Sequence, residues 1–449
     1  MYGGLSVAVL FNPAAWAPAI LIWSFLLLLP FSRSAELPMF IMAILGGSLI
    51  WKHRRQATWQ GGAKVFTLLS LCIWVPIALS VPDSLWLKKS LSTMLTFPRI
   101  YLAGVYIIWM LREEVVRQRV LKLAAWLLLF WVVDALIQAV VGYNLLGYAY
   151  PERLNGLFGP KNWDLGLALA MLAPIVWEYV YRQGRTWHLV LAWFGTAMVV
   201  LLASNRESWI VFTVATVMWG WVYARRMGFH PLKLLVPTAV IVFLTAILAY
   251  QANPKLATRI DMSLAALDLT YEGLDKAGSR RMHLWSNAVA VLQNHPINGA
   301  GVRAYRYAYT RYAEPDDPYV GADGTGMIFA HQIVLEVGTE TGMIGIVGLL
   351  LFLGLLVRAG RKLSFGSPLG FATWLGSFAW FFPLNTHTAL YSADWSLLLG
   401  WMLAMAVSEG RQGMAMPYPR THREPDIQAP GISGGGERAG NTPLRDKFK

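Results

Sequence analysis

Apolar residues in this chain fall into twelve long runs, near 13–31, 35–51, 64–82, 94–111, 119–141, 164–181, 186–203, 208–223, 232–251, 331–357, 367–386 and 388–408. Runs of about 17–25 apolar residues are long enough to cross a bilayer as a helix. Inside lipid every backbone N–H and C=O must find a partner within the segment, so a spanning run is helical. The polar stretches between the runs are short, with one exception at 251–330. The pattern therefore predicts an all-α polytopic membrane protein with about 12 transmembrane helices and a long, partly helical loop between helices 9 and 10. Residues 1–250 hold transmembrane helices 1–9, 251–330 form a loop domain, and 331–409 hold helices 10–12. The stretch 410–449 mixes Pro, Gly and alternating charge and reads as a disordered cytoplasmic tail.

Composition agrees with that frame: 56% of the 449 residues are hydrophobic and only 14% charged, with mean hydropathy +0.45. No soluble domain of this size needs so much apolar surface. The net charge of +13 is read through topology. With the N-terminus in the cytoplasm and twelve alternating helices, the short inner loops receive clusters such as Lys52, Arg54 and Arg55; Arg112, Arg117 and Arg119; and Arg358, Arg361 and Lys362. The short outer loops receive fewer than half as many basic residues, which satisfies the positive-inside rule. Both termini are then cytoplasmic, and residues 251–330 lie outside. The first basic residue is Arg33, so the opening run lacks the positive n-region of a cleaved signal peptide and is expected to stay as a spanning helix. The positive charge reflects orientation, and no basic soluble module for nucleic acid is present. Cys72 is the single cysteine, which rules out an internal disulfide or a thiolate metal site. No internal repeat, Walker A, Rossmann or HExxH pattern appears. Asp83 stands alone in its outer loop, and Asp316-Asp317 reads as a solvated turn between prolines. The expectation is chemistry without metal or cofactor.

The loop at 251–330 carries most of the candidate chemistry, since loops of this length are usually functional or disordered. Met282, Leu284, Trp285, Ala288, Val289 and Leu292 form an apolar stripe at helical spacing. Ser279, Arg280 and Arg281 precede it. A helix start with guanidinium groups suits phosphate, through backbone N–H groups and bidentate forks. His295-Pro296-Ile297-Asn298-Gly299-Ala300-Gly301 follows; it reads as a helix stop and glycine turn. Tyr305, Tyr307, Tyr309 and Tyr312 then interleave with Arg303, Arg306 and Arg311. This pattern fits a sugar-phosphate surface, with Tyr305 as a contact, and equally an aromatic belt at the membrane interface. Arg, His and Tyr close to the bilayer suit an anionic, lipid-linked, sugar-bearing substrate better than an ion path.

His331 opens the tenth apolar run, followed by Glu336 and Glu340. An imidazole titrates at about 6.5 and suits a general base at neutral pH; the alternative is a polar interface residue. Glu336 and Glu340 can orient it or pair with an arginine in the bundle. Arg206 sits in the short outer hairpin Ser204-Asn205-Arg206-Glu207-Ser208. There it either snorkels to the interface or clamps a pyrophosphate in bidentate fashion. Lys88, Lys89 and Arg99, near the outer end of the fourth run, are further candidates for that phosphate site.

The ordered set Ser204-Asn205-Arg206-Glu207-Ser208-Trp209, Arg281-x-x-x-Trp285, His295 to Gly301, and His331 followed by Glu336, Gly338, Glu340, Gly342 and Gly345 resembles the O-antigen ligase family of bacterial inner-membrane glycosyltransferases. That family shares a domain with O-antigen polymerases. The motifs cover about 200–350, and the twelve-run frame with its long outer loop extends the likeness to nearly the whole chain. The resemblance implies a GT-C-like fold and a periplasmic active site in the inner membrane. It implies transfer of a glycan from undecaprenyl pyrophosphate to a lipid A–core sugar, with membrane lipids as surroundings. The family's essential hairpin arginine corresponds to Arg206, its loop arginine to Arg281 with Arg280 as register neighbour, and its essential histidine to His331. Arg206, Arg280 and Arg281 would then stabilise the departing pyrophosphate, and His331 would deprotonate the acceptor hydroxyl. In-line attack inverts the anomeric centre. The alternatives are an O-antigen polymerase, a protein O-oligosaccharyltransferase and, outside enzymes, a transporter or flippase. The last predicts repeated halves and mid-helix charges, for which Asp134 and Glu336 are the candidates.

Overall fold

A computed structural model describes residues 13–149, 153–159, 165–252, 254–278, 281–315, 317–363, 367–382 and 389–408. Ser279, Arg280, Asp316, residues 383–388 where the eleventh and twelfth runs meet, and the 410–449 tail lie outside the described residues.

The helices come in the expected order: α1 (Pro13–Leu28), α2 (Glu36–Thr58), α3 (Gly61–Ser80), α4 (Leu87–Thr96), α5 (Pro98–Met110), α6 (Glu114–Val141), α7 (Leu165–Arg182), α8 (Thr186–Leu202), α9 (Arg206–Arg226) and α10 (Leu232–Ala252). Four shorter helices follow in the long loop: α11 (Pro254–Leu264), α12 (Tyr271–Ala277), α13 (Met282–Asn294) and α14 (Tyr305–Tyr309). The chain re-enters the bundle with α15 (Ile333–Leu363), α16 (Pro368–Trp380) and α17 (Ala393–Ala406). Among the described residues there is no strand, and an isolated bridge joins Tyr143 to Ala149.

A helix stands at each of the twelve expected positions. Among the described residues, six stretches are long and apolar enough to cross a membrane by length and composition: Ser32–Thr58, Gly61–Ser80, Leu87–Met110, Glu114–Val141, Leu165–Arg182 and Ile333–Arg361. Others are short. The 14 residues of α17 rise about 21 Å, against a hydrocarbon core of roughly 30 Å. The fourth run is divided at Phe97, because Pro98 begins a new helix after α4.

Helices pair across the sequence. α2 packs on α5, α15 on α3, and α7 on both α8 and α16. α7 is the centre of the bundle, with Leu165 through Glu178 all buried. Its Glu178 is fully buried, accepts from Trp219 at 3.0 Å and pairs with Arg226 at 2.6 Å. Arg226 is therefore tied into the bundle. Asp134 is also fully buried, but it accepts the Leu145 N–H at 2.9 Å and Asn144 at 3.4 Å. This mid-helix carboxylate holds the following turn in place.

The long loop has its own small core of Leu284, Ala288, Val291, Ala300, Tyr305, Ala308, Tyr309 and Ala330. That core is pinned to the bundle by the His295–Gly301 segment. Pro296 and Ile297 carbonyls accept from Met343 and Ile344 at 2.8 and 3.2 Å, and the N–H groups of Ala300 and Gly301 reach the Thr339 and Glu340 carbonyls at 2.8 and 3.1 Å. The exchange is possible because α15 breaks at Gly342, φ +65° and ψ −161°, which frees backbone groups in mid-helix. A Cβ on Gly301, φ +100°, would stand 2.1 Å from the Ser84 Oγ. The motif is thus a backbone dock between loop and membrane helix, beyond the turn expected of it.

Candidate active site

Arg206 is the first residue of α9. The hairpin before it turns sharply at Ser204, φ +54°, and the Asn205 side chain caps the helix by accepting the Glu207 N–H at 3.1 Å. Gly166 allows this hairpin to lie on α7: a Cβ there would stand 2.7 Å from the Ala203 Cβ. These contacts aim the Arg206 guanidinium at the long loop, where it donates to the Ala277 carbonyl.

Arg281 arrives from the other side. It stands immediately before α13, whose Met282 N–H is held by Asp275 at 3.0 Å. Burial pushes the Arg281 guanidinium below its ordinary range, the Arg206 cation beside it pushes the same way, and the Glu207 and Tyr319 charges oppose both. Two guanidinium groups thus share a partly desolvated site that an anion would stabilise. α9 and α13 both begin at this wall, so their positive ends add to the field.

A cavity of about 890 Å³ lies between them, lined by Arg206, Arg281, Arg153, Glu207, Trp285 and Phe382 among others. Its roof is the 254–278 segment, through Ile260, Ser263, Leu264, Leu274 and Ala277. Leu264, Leu267, Leu269 and Tyr271 on this roof are 52–82% exposed, a row suited to lipid rather than water. A second cavity of about 600 Å³, lined by Glu36, Asp394, Trp395 and Tyr148, holds neither arginine.

His331 stands beside the first cavity, and its side chain is not among the lining residues. It is 9% exposed, its ring centroid is 4.1 Å from that of Phe329, and its backbone is left-handed at φ +54°. Arg303, φ +65°, is strained in the same way. Such non-glycine conformations cost of order 1–3 kcal/mol and persist where surroundings impose them. Here the imposing contact is visible: Trp285, a cavity wall, donates its Nε1–H to the Ala330 carbonyl at 3.1 Å. The Arg281-x-x-x-Trp285 spacing is one helical turn that carries an arginine into the cavity and a clamp for the histidine segment.

Several expected site residues lie elsewhere. Glu336 accepts the Leu390 and Tyr391 N–H groups at 3.1 and 3.3 Å, and Glu340 accepts the Arg303 N–H at 2.7 Å. Glu336 spends both oxygens, and Glu340 one of its two, on backbone amides of other segments, so these bonds do not serve the orienting role expected of the two carboxylates. Tyr305 is a correction as well. It is fully buried, and its hydroxyl donates to the Leu284 carbonyl at 3.3 Å. Burial pushes the Tyr305 and Tyr309 hydroxyls above their ordinary range. Both rings belong to the loop core, because a short helix must bury its i and i+4 positions on one face. Tyr307 packs edge-on to Trp86, centroids 4.9 Å apart. Asp317, read as solvated, is a buried hub that accepts from Tyr309 at 2.6 Å, Asn287 at 3.1 Å and the Tyr319 N–H at 2.8 Å. Lys88 and Lys89 sit on α4, outside the cavity lining, and Arg99 pairs with Glu36 at 2.9 Å. Sequence reasoning missed Arg153, the roof helices and the Trp285 clamp. Only the clamp leaves a signal in the sequence, because a tryptophan four residues after Arg281 lies on the same helix face.

No curated protein matches the chain. A family model described as O-antigen ligase matches residues 188–353. That stretch runs from the first turn of α8 into α15 and holds Arg206, Arg281, Trp285 and His331. Over that stretch the chain is similar to the O-antigen ligase family.

Proposed function

We propose that the chain transfers a finished glycan from undecaprenyl pyrophosphate to a sugar hydroxyl of lipid A–core, on the periplasmic face of the inner membrane. The domain's family covers both O-antigen ligases and polymerases. The observation that carries the reading is the meeting of Arg206 and Arg281 in one roofed cavity beside the His331 segment. All twelve helices are read as crossing the bilayer, with both termini inside.

In the reaction the acceptor oxygen forms a bond to the sugar's anomeric carbon as the bond from that carbon to the pyrophosphate oxygen breaks. Charge grows on the departing pyrophosphate, and Arg206 and Arg281, already held side by side, stabilise it more than they stabilise the bound donor. The acceptor proton passes to His331. Attack opposite the leaving group inverts the anomeric centre. The two guanidinium groups supply the positive charge, and no metal is part of the scheme.

The test uses protein purified in detergent with EDTA, an undecaprenyl-pyrophosphate glycan and lipid A–core. Transfer to lipid A–core, abolished in Arg206→Ala and His331→Ala, is the expected result. Lengthened lipid-linked glycan without transfer to core would make the protein a polymerase. Glycan on a Ser or Thr peptide would make it a protein glycosyltransferase. Undiminished transfer by His331→Ala would remove that residue as the base.

A further inference from the structure

Among the described residues, three arginines line the cavity at Arg206, namely Arg153, Arg206 and Arg281, together with one carboxylate, Glu207. A carboxylate weakens the binding of any anion, so Glu207 works against the arginines around it. It is also 2% exposed. Helix capping accounts for its backbone, whose N–H is accepted by the Asn205 side chain at 3.1 Å, but not for its side chain. An acidic residue in a first turn favours the helix dipole, yet that gain is available at the surface, without burying a charge. Residues one position apart on a helix do not face each other. The Glu207 charge instead acts on Arg281, where it opposes burial and the Arg206 cation.

Transfer changes the charge that this set of groups must hold. In the donor, each phosphate of the pyrophosphate is esterified on both sides and carries one negative charge. When the bond from the anomeric carbon to the outer phosphate breaks, the bridging oxygen and the electron pair stay with the phosphate. The acceptor oxygen takes its place on the carbon, and the acceptor proton goes to His331. The outer phosphate is then a terminal group, which carries about 1.5 to 2 negative charges at pH 7. The spent lipid is therefore more anionic than the donor, and a site of arginines alone would hold the product more tightly than the next substrate.

We propose that Glu207 sets the release of the lipid pyrophosphate product, its negative charge offsetting the charge that transfer leaves on the outer phosphate. The inference rests on the donor chemistry proposed above and deepens it. Three guanidinium groups outweigh one carboxylate while the leaving group develops its charge, so transfer still proceeds. Glu207 acts on the difference between donor and product. With an effective dielectric constant of about 20 and roughly 7 Å between charges, half to one extra unit of charge is disfavoured on the order of tenfold.

The experiment titrates the full chain in phospholipid nanodiscs with undecaprenyl pyrophosphate and, separately, with the undecaprenyl-pyrophosphate glycan, no acceptor being present. Wild type is expected to bind the two within threefold of each other. Glu207→Gln, which keeps the shape and removes the charge, is expected to bind the product about tenfold more tightly than the donor, with thermal unfolding unchanged. Glu207→Asp, which keeps the charge, is expected to hold the ratio within threefold of wild type. With lipid A–core added, Glu207→Gln should complete its first turnover no more slowly than wild type and then stall, giving a burst equal to the protein present. A tenfold preference of wild type for the product overturns the release proposal without any variant having to fold. So does a Gln variant whose ratio of affinities matches wild type, or one whose first turnover is itself slowed. Each of these results, alongside transfer by wild type, leaves the transferase reading standing. Absence of transfer by wild type overturns that reading and the proposal with it.

Discussion

Trp285→Phe isolates how the histidine segment is held. The substitution keeps an aromatic ring in the cavity wall and removes one donor, the Nε1–H that binds the Ala330 carbonyl at 3.1 Å. A buried acceptor left without its donor costs about 1–3 kcal/mol. The neighbouring His331 is held at φ +54°, a conformation that itself costs about 1–3 kcal/mol. The two magnitudes match, so loss of the bond lets the 329–331 backbone relax and moves the imidazole. A barrier raised by 1–3 kcal/mol slows transfer roughly 5- to 150-fold. The arginines are untouched, so the donor KM should stay within twofold while kcat falls. Single-turnover transfer from a lipid-linked donor, with KM and kcat measured separately, reads both. A kcat within twofold of wild type would refute the clamp. So would a loss that appears entirely in KM, because it would mean that Trp285 contacts substrate and does not position the base.

Three further outcomes are expected. Arg281→Ala removes a guanidinium whose charge-assisted bonds contribute about 1.5–3 kcal/mol each, so donor affinity should fall roughly 10- to 150-fold, measured by titration with the lipid pyrophosphate. Glu178→Ala strands the buried Arg226 charge and should destabilise the protein by about 3–5 kcal/mol, seen as a lower unfolding temperature in detergent. Gly301→Ala places a Cβ 2.1 Å from Ser84 Oγ at φ +100°, so the loop should undock; proteolysis between 251 and 330 should speed up, whereas the same change at Gly47, which has open space around it, should do nothing.

The membrane frame was legible because hydrophobic runs are a local property. Each run needs only its own length to specify a helix, and helices appear at all the expected positions. Arg206, Arg281 and His331 stood out because charges near the bilayer are costly and rare. Resemblance to a known family added to that, and the match over residues 188–353 agrees with it. The neighbours of these residues were not legible. Alternating Tyr and Arg at 303–312 has the same composition whether the rings face sugar or a core, and the answer depends on which face of α14 meets Leu284 and Ala288. Glu336 and Glu340 follow His331 closely in sequence, yet their partners come from Leu390, Tyr391 and Arg303, because α15 breaks at Gly342 and its N-terminal part packs against two distant segments.

By itself, then, the sequence determined a chain of apolar, membrane-length helices with one long polar loop, and it singled out Arg206, Arg281 and His331 as candidates. Only the tertiary structure decided that Arg206 and Arg281 share a cavity, that Lys88, Lys89 and Tyr305 do not, and that Trp285 holds the histidine segment. The physical reason is range. Spanning depends on the transfer of contiguous residues into lipid. A site depends on pairings between segments far apart in the chain, whose geometry is selected by packing across the whole bundle.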